Sequence, residues 1–288
     1  MDIHKNYEKE IAAAWLDRFE TEQAANYESL KRKAGISRRA NIIKWSRITA
    51  IAACIAIAAV GGAMLQRGAM RQMDGRLTEI TVPEGSRMKV MLPDNTEVWL
   101  AGGSTLAYES AFRERNVTLD GEGFFKVAHD KSRPFSVRSA SVDIQVLGTI
   151  FDIRNYSRES KAVVDLIDGS VAVTGKTTGI QKTLKPDQRA TVDHTSGLIT
   201  VEETDAARSA LWVSGKLYFT DATMDELLKD IERFKGVSFS HSEHLLEGEL
   251  FSGSIRLDHS VESILRSIDL DHKLVWTENE DTIVITVK

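Results

Sequence analysis

The spacing of apolar residues changes along the chain, and each change predicts a different kind of element. Before residue 48, apolar residues recur every three or four positions, as they do in amphipathic helices. An unbroken apolar run then occupies residues 48–65. From residue 79 to about residue 203, apolar and polar residues alternate in short runs that end at Gly, Asn or Asp, which is typical of strands and turns. The rest of the chain mixes strand and helix patterns.

The run at residues 48–65 predicts a single transmembrane helix. Eighteen uncharged residues with a rise of 1.5 Å each form a helix of about 27 Å, close to the roughly 30 Å of a bilayer's hydrocarbon core. A signal peptide would begin the chain, whereas 47 residues precede this run. A buried, alanine-rich core helix is the alternative that stays open.

Basic residues flank this run unequally. Residues 31–47 hold seven Lys or Arg and no acidic residue, against three Lys or Arg in residues 66–78. Because translocation of positive charge is disfavoured, we expect residues 1–47 in the cytoplasm and residues 66–288 exported, with residues 66–78 as a linker. The protein would then lie in the inner membrane, and its basic flank would face anionic lipid rather than nucleic acid.

The predicted cytoplasmic segment, residues 1–47, is too short to bury a core of its own. Its apolar residues fall at helical spacing and predict two short amphipathic helices, broken near Thr21. With nothing of its own to pack against, such an apolar face typically docks on another protein. The candidate contact residues are Trp15, Leu16, Phe19, Tyr27 and Leu30. A disordered tether is the alternative.

Residues 79–205 predict an all-β domain. At least ten short alternating runs are separated by turn-forming pairs such as Asp120-Gly121 and Asp168-Gly169. No helical pattern interrupts them, so the expected architecture is a sandwich, a barrel or a solenoid-like fold. The only cysteine, Cys54, lies in the apolar run, so no intrachain disulfide can brace this region.

Several motifs of this strand-rich region occur together and in a fixed order. They are Leu92-Pro93-Asp94 before TEVWL, Gly121-Glu122-Gly123-Phe124-Phe125 with Val127, Pro134-Phe135 with Val137, Gly148-Thr149 with Phe151, and Gly169-Ser170-Val171. This ordered set resembles the FecR family of membrane anti-sigma regulators, in its Bacteroidetes-type form. The glycines among them also have a physical use, because backbones turn or approach closely there.

The resemblance implies a regulator of transcription. A FecR-like protein would relay a signal from an outer-membrane TonB-dependent or SusC-like transducer to a cytoplasmic extracytoplasmic-function sigma factor, and so control uptake genes. The apolar residues of the cytoplasmic segment would then contact sigma. That segment is shorter than is usual for the family, so inhibition, activation or both stay open.

Gly148-Thr149 carries a separate hypothesis that comes from the same resemblance. Some family members cleave themselves at a Gly-Thr bond, where the Thr hydroxyl attacks the preceding carbonyl. The alternative, which we favour, is an ordinary pair in a turn between strands. In that case the chain has no catalytic residue and is not an enzyme.

Residues 206–288 contain an internal repeat at an offset of 37 positions. The matched pairs are Tyr218 with Ile255, Thr223 with Ser260, Met224 with Val261, Leu227-Leu228 with Ile264-Leu265, Ile231 with Ile268, Val237 with Leu274, and Phe239 with Trp276. Each copy predicts a strand, a capped helix and a strand, with a capping box at Thr223 and Glu226 and an N-cap at Ser260.

The predicted fold of this tail is therefore a small α+β domain of duplicated β-α-β units. It resembles the short N-terminal signalling domain of secretins and TonB-dependent transducers, and the C-terminal domain of FecR proteins. The resemblance implies that the tail meets the signalling domain of the transducer in the periplasm.

Motifs for other chemistry are missing from the sequence. There is no phosphate-binding glycine loop, no zinc spacing of Cys and His and no nucleophile elbow. His241 and His244 have metal-like residue types, but their position between a strand and a glycine-containing loop favours a surface loop. We therefore expect no cofactor and no metal. A membrane-anchored envelope adaptor or polymer-binding module is the second functional hypothesis, and a tethered hydrolase is a distant third.

Overall fold

The computed structural model describes residues 13–33, 76–242, 245–279 and 282–288. The chain divides into two compact units, Met1–Arg71 and Gln72–Lys288. The predicted transmembrane run at residues 48–65 lies outside the described residues. Among the residues that are described, no helix is long and apolar enough to cross a membrane.

Helix α1 covers residues 13–33 without interruption. The predicted break near Thr21 is wrong. Threonine costs a helix only tenths of a kcal/mol relative to alanine, and its hydroxyl can bond a carbonyl four residues back. The Thr21 hydroxyl donates in this way to the carbonyl oxygen of Asp17.

Thirteen strands follow in the second unit, in agreement with the predicted strand-rich region. They are β1 (Leu77–Thr81), β2 (Met88–Met91), β3 (Glu97–Leu100), β4 (Thr105–Glu109), β5 (Arg115–Lys126), β6 (Phe135–Arg138), β7 (Val142–Val146), β8 (Ile150–Asn155), β9 (Lys161–Asp168), β10 (Val171–Gly175), β11 (Gln181–Leu184), β12 (Gln188–Asp193) and β13 (Ile199–Glu203).

The long strand β5 joins two sheets. Its first half pairs with β4 and β6, and its second half pairs with β3 and β8. The first sheet has the order β1-β4-β5-β6-β7-β10-β11, and the second has the order β2-β3-β5-β8-β9-β12-β13. Within these two sheets, all neighbouring strands are antiparallel except β5 and β6.

One apolar core lies between these sheets. Phe125 of β5 stacks on Phe151 of β8 with ring centroids 5.1 Å apart, and it meets Phe135 of β6 at 6.1 Å. Both sheets contribute buried Val, Leu and Ile residues to the same cluster. The all-β region is therefore a two-layer sandwich, which we call the β-sandwich.

The described residues of the C-terminal part form three α-helices, a 3₁₀ helix and five strands. They are α2 (Ala206–Ser209), the 3₁₀ helix η1 (Ala210–Ser214), β14 (Lys216–Ala222), α3 (Met224–Lys235), β15 (Ser238–His241), β16 (Phe251–Arg256), α4 (Val261–Ile268), β17 (Leu274–Asn279) and β18 (Thr282–Val287).

The two repeat copies interlock. The first strands, β14 and β16, pair with each other, and the second strands, β15 and β17, lie on either side of β18. Both predicted helix caps are confirmed: Thr223 and Glu226 form the capping box, and the Ser260 hydroxyl accepts the amide of Ser263 at 3.2 Å. Each of the two sheets therefore contains strands from both copies.

Candidate functional site

The outer face of the second sheet carries polar residues where the C-terminal part packs on it. Seven residues oppose one another in a row across this sheet, one from each strand: Lys89, Trp99, Phe124, Asp152, Asp165, Arg189 and Glu202. Strand alternation alone would leave this face in water. Asp152 and Asp165 are nevertheless only 4% and 2% exposed.

Apolar contact joins the two parts at one end of this row. Trp99 and Phe124 of the β-sandwich belong to the same cluster as Trp212 of η1 and Leu227 of α3. Trp212 is itself buried, and its indole nitrogen donates to Asp152 Oδ1 at 3.1 Å. The tryptophan thus gives the buried carboxyl group a partner from the other part of the molecule.

Arg233 is the central polar side chain of the junction. It projects from α3, is 2% exposed, and stacks on the Tyr156 ring with its guanidinium carbon 4.1 Å from the ring centroid. Its Nη1 donates to Asp230 Oδ1 at 2.8 Å, and its Nη2 donates to Glu159 Oε1 in the β-sandwich. Glu122 Oε2 lies 3.8 Å from Nη1.

Arg154 completes this ion network from the side of the β-sandwich. Its Nε donates to Glu159 Oε2 at 3.0 Å, and its Nη1 lies 2.8 Å from Asp230 Oδ1. Asp230 on α3 and Glu159 in the β8–β9 turn are therefore each shared between two arginines. A buried network of this kind costs desolvation, and removing one member strands the charges that remain.

The backbones approach closely at the same place. Gly85 donates its amide to the carbonyl oxygen of Arg233 at 2.8 Å. A Cβ placed on Gly102 would lie 2.4 Å from that carbonyl oxygen, and one on Gly236 would lie 3.1 Å from the carbonyl oxygen of Glu84. Real Cβ atoms essentially never show a contact of 2.4 Å, so position 102 requires glycine, and the positive φ of 66° at Gly236 favours glycine there.

Burial changes the acid–base behaviour of the junction. It raises the pKa of Glu122 to about 7, and it raises the pKa of Asp152 well above its ordinary value. Burial alone would also raise the pKa of Glu159, but Arg154 and Arg233 beside it hold that pKa below its ordinary value. When Glu122 is protonated, the two positive charges of Arg154 and Arg233 are balanced by the two carboxylates of Asp230 and Glu159.

Two family models match the chain on either side of this junction. The model described as FecR protein matches residues 78–172, and the model described as FecR, C-terminal, matches residues 216–285. Together they cover more than half of the chain, and the C-terminal model matches after the first one along the sequence.

The chain belongs to the FecR family.

Two crystal structures, at 1.65 and 2.50 Å resolution, are similar to this FecR protein. Both are of a protein from Parabacteroides distasonis ATCC 8503 that is proposed to be an anti-sigma factor. Each is 28% identical in sequence with a TM-score of 0.68, and they cover 73% and 74% of this chain and 99% and 100% of their own. No curated protein matches the sequence.

The junction of this FecR protein uses residues from both matched segments. Glu122, Asp152 and Glu159 lie in the first segment, and Arg233 lies in the second. Trp212 lies between the two. Sequence reasoning did not single out Glu122 and Asp152 because a charged side chain at an alternating strand position is typical of a solvent-exposed face. Glu159, Trp212 and Arg233 lie in a turn or on helices, where no local pattern indicates their contacts across the junction.

The predicted sigma-contact residues all lie on α1. Trp15, Leu16, Phe19, Tyr27 and Leu30 are between 57% and 71% exposed. At 100° per residue along one continuous helix, they fall within an arc of about 120°. The uninterrupted helix therefore presents them as one stripe, about 22 Å long at 1.5 Å per residue, which two separate helices would not do.

Gly148 and Thr149 lie in the turn between β7 and β8. A Cβ on Gly148 would lie 2.3 Å from His129 Nδ1, so the backbone needs glycine there. The buried Thr149 hydroxyl donates to the carbonyl oxygen of Ser170 at 3.0 Å. Both residues therefore have packing roles, and self-cleavage at this bond stays a prediction.

A cleft of about 360 Å³ opens beside Arg233. Three acidic and three basic side chains line it, namely Glu84, Glu159, Glu232, Arg158, Lys229 and Arg233. Because positive and negative side chains both line the cleft, its charge favours neither an anionic nor a cationic ligand. Within the described ranges, no group of three or more His, Cys, Asp or Glu residues could hold a metal ion.

The raised pKa of Glu122 predicts a pH-dependent stability. A carboxyl whose pKa is higher in the folded state stabilises the fold below its unfolded pKa of about 4.3, and this stabilisation is lost as the pH rises through about 7. Glu122→Gln keeps the shape without the titration. We expect the free energy of unfolding, measured from pH 5 to 8, to fall less with rising pH for this variant than for the wild type. The difference between the two slopes should approach the value that corresponds to one bound proton.

The matched control for this prediction is Glu262→Gln, at an exposed position of α4. It should follow the wild-type pH dependence. Equal slopes for Glu122→Gln and the wild type would show that Glu122 is ionised in the folded protein throughout this range.

Proposed function

We propose that this FecR protein is a single-pass inner-membrane anti-sigma factor. Its family and its similarity to a protein proposed to be an anti-sigma factor support this role. The observation that carries the proposal is the exposed apolar stripe of α1, because a contiguous exposed stripe of aromatic and aliphatic residues marks a site for a binding partner.

The proposed sigma contact is a helix in a groove. An amphipathic helix lays its apolar side into a hydrophobic groove and uses anchors spaced three or four residues apart. Trp15 and Phe19 stand one turn apart on α1, and Tyr27 and Leu30 continue the stripe toward its end. Aromatic residues dominate the energetics of such interfaces. We assign the first two as the main anchors for an extracytoplasmic-function sigma factor.

The proposed signal enters at the other end of the chain. Residues 66–288 would lie in the periplasm, where the C-terminal part would meet the signalling domain of an outer-membrane TonB-dependent or SusC-like transducer. The polar and apolar contacts at the junction then fasten this part to the β-sandwich, so displacement of one moves the other. The proposal gives no residue a catalytic role and needs no cofactor.

The test measures binding of the full chain to an extracytoplasmic-function sigma factor encoded beside it. The double variant Trp15→Ala/Phe19→Ala should weaken binding by about 30-fold or more, since two buried aromatic anchors contribute at least about 2 kcal/mol. Asp17→Ala, on the opposite side of α1, is the control and should bind like the wild type. No complex with the wild-type chain, together with unchanged sigma-dependent transcription when the gene is deleted, would refute the proposal.

A further inference from the structure

The three-stranded sheet β15-β18-β17 has an outer face with no charge in its two complete rows. One row contains Ser238, Thr282 and Asn279, and the next contains Ser240, Val284 and Thr277. All six are exposed or half-buried, although 27% of the chain is charged. The opposite face is different, because Ile283, Ile285 and Trp276 pack into the core of the C-terminal part.

Two other edge strands of this part, β15 and β14, are capped or distorted within the chain. On β15, the amide of Phe239 donates to Glu232 Oε1 of α3 at 2.6 Å. On β14, the register of the pairing with β16 shifts between Phe219 and Ala222, as at a β-bulge. Caps and bulges of this kind protect an edge from pairing with another chain.

The edge of β17 lacks such protection over most of its length. The amide of Lys288 donates to the carbonyl oxygen of Lys273 at 2.8 Å, so these two opposite residues form a hydrogen-bonded pair of β17 and β18. In an antiparallel pair, every second residue along a strand is hydrogen-bonded to the neighbouring strand and the residues between point their backbone groups away from it. Trp276 and Glu278 therefore point their amide and carbonyl groups away from β18. The amide of Leu274 is capped by Asp269 Oδ2, but no side chain of the described residues caps those of Trp276 and Glu278.

We infer that the edge of β17 binds an extended segment of the partner protein as a fourth strand. The occupant is a strand of the transducer's signalling domain, and in that respect the inference rests on the proposed function. Pairing with β17 would satisfy the open backbone groups of Trp276 and Glu278.

The chemistry of the two faces defines this strand. Its outward side chains would stand beside Thr277 and Asn279, and the described residues of these two rows offer no charge to pair with one, so they are uncharged and β-branched or hydroxylated. Its inward side chains would continue the apolar face beside Trp276. A charged outward residue would lose hydration without gaining a counter-ion.

The experiment uses the full chain and the signalling domain of the transducer encoded beside it as the probe. Glu278→Pro removes the outward amide of β17, and proline is tolerated on an edge strand when its missing N–H faced solvent. Affinity should fall by about tenfold or more, because strand addition depends on these main-chain bonds. The matched control, Glu278→Ala, keeps the amide and should bind within about twofold of the wild type.

A second variant tests the uncharged face without touching the edge. Thr277 points its amide toward β18, so Thr277→Lys keeps every open backbone group and adds a charge to the outer row. We expect a loss of affinity of about tenfold here as well. Thermal unfolding of each variant within a few degrees of the wild type shows that the fold is kept.

Each outcome decides the inference. In the wild-type complex, slowed hydrogen exchange at the amides of Trp276 and Glu278 supports it, together with weaker binding by the proline variant. Equal binding by all variants overturns it and leaves the proposed relay intact, whereas no binding by the wild type removes the relay as well. A dimer of the chain that Glu278→Pro dissociates, with probe binding unchanged, assigns the edge to a second copy and also overturns it.

Discussion

Replacing Arg233 with alanine should lower the free energy of unfolding by about 3–5 kcal/mol, the range measured when one partner of a buried ion pair is removed. The guanidinium is 2% exposed and serves Asp230 and Glu159 at once. Its loss strands these carboxylates with Arg154 as their remaining cation. It also removes the nearer of the two guanidinium groups that lie over the Tyr156 ring, and leaves that of Arg158. Denaturant unfolding of the wild type and the variant at pH 7 measures the difference.

The control for this prediction is another arginine of the C-terminal part. Arg256 pairs with Asp258 through its guanidinium, and both side chains are 61% exposed. Arg256→Ala should therefore cost less than about 1 kcal/mol. Similar losses for the two variants would mean that the junction is hydrated in solution and that Arg233 is not a buried member of it.

Substituting Gly102 with alanine should destabilise the protein by about 2–3 kcal/mol, toward the upper end of what overpacking costs. The new Cβ would lie 2.4 Å from the carbonyl oxygen of Arg233 and 3.1 Å from Glu84 Cα. Both obstacles are backbone atoms, so no side-chain rotation can relieve the contact. The C-terminal part must instead move away from the β-sandwich. Chemical denaturation measures the cost.

Gly253→Ala is the matched control. A Cβ at that position meets the Phe219 ring at 3.7 Å, an ordinary van der Waals contact. Its backbone has no positive φ in the left-handed region, and neither does that of Gly102. The two substitutions thus differ mainly in what the added methyl group meets. If Gly102→Ala were as stable as Gly253→Ala, the close approach at the junction would not exist in solution.

Local patterns predict the elements of this protein well. The caps at Thr223 and Ser260 and the repeat between them follow from residue types at fixed spacing, because a helix N-terminus needs side-chain acceptors. The strand-rich region follows from alternation, since one face of each strand must be buried. The continuous helix α1 shows the limit of such patterns. The sequence around Thr21 predicts a helix break, yet the Thr21 hydroxyl donates to a carbonyl oxygen of the same helix.

The junction could not be predicted in the same way. Asp152 and Arg154 alternate with apolar residues on β8, as solvent-facing residues do. Their burial depends on α3 and η1, which lie more than 50 positions later in the chain. Only tertiary packing brings Arg233 and Trp212 to them. Motif glycines were easier to find, but sequence alone does not show what each glycine approaches.

The position of β18 between β15 and β17 sets an order of events during synthesis. A ribosome makes β15 and β17 before β18, so these two strands have no hydrogen-bonded neighbour in their sheet until β18 has emerged. Any nonsense mutation upstream of Thr282 would therefore leave the sheet unassembled and its inner apolar residues exposed. A truncated chain would then be a substrate for proteases, so only completed chains would persist in the folded form.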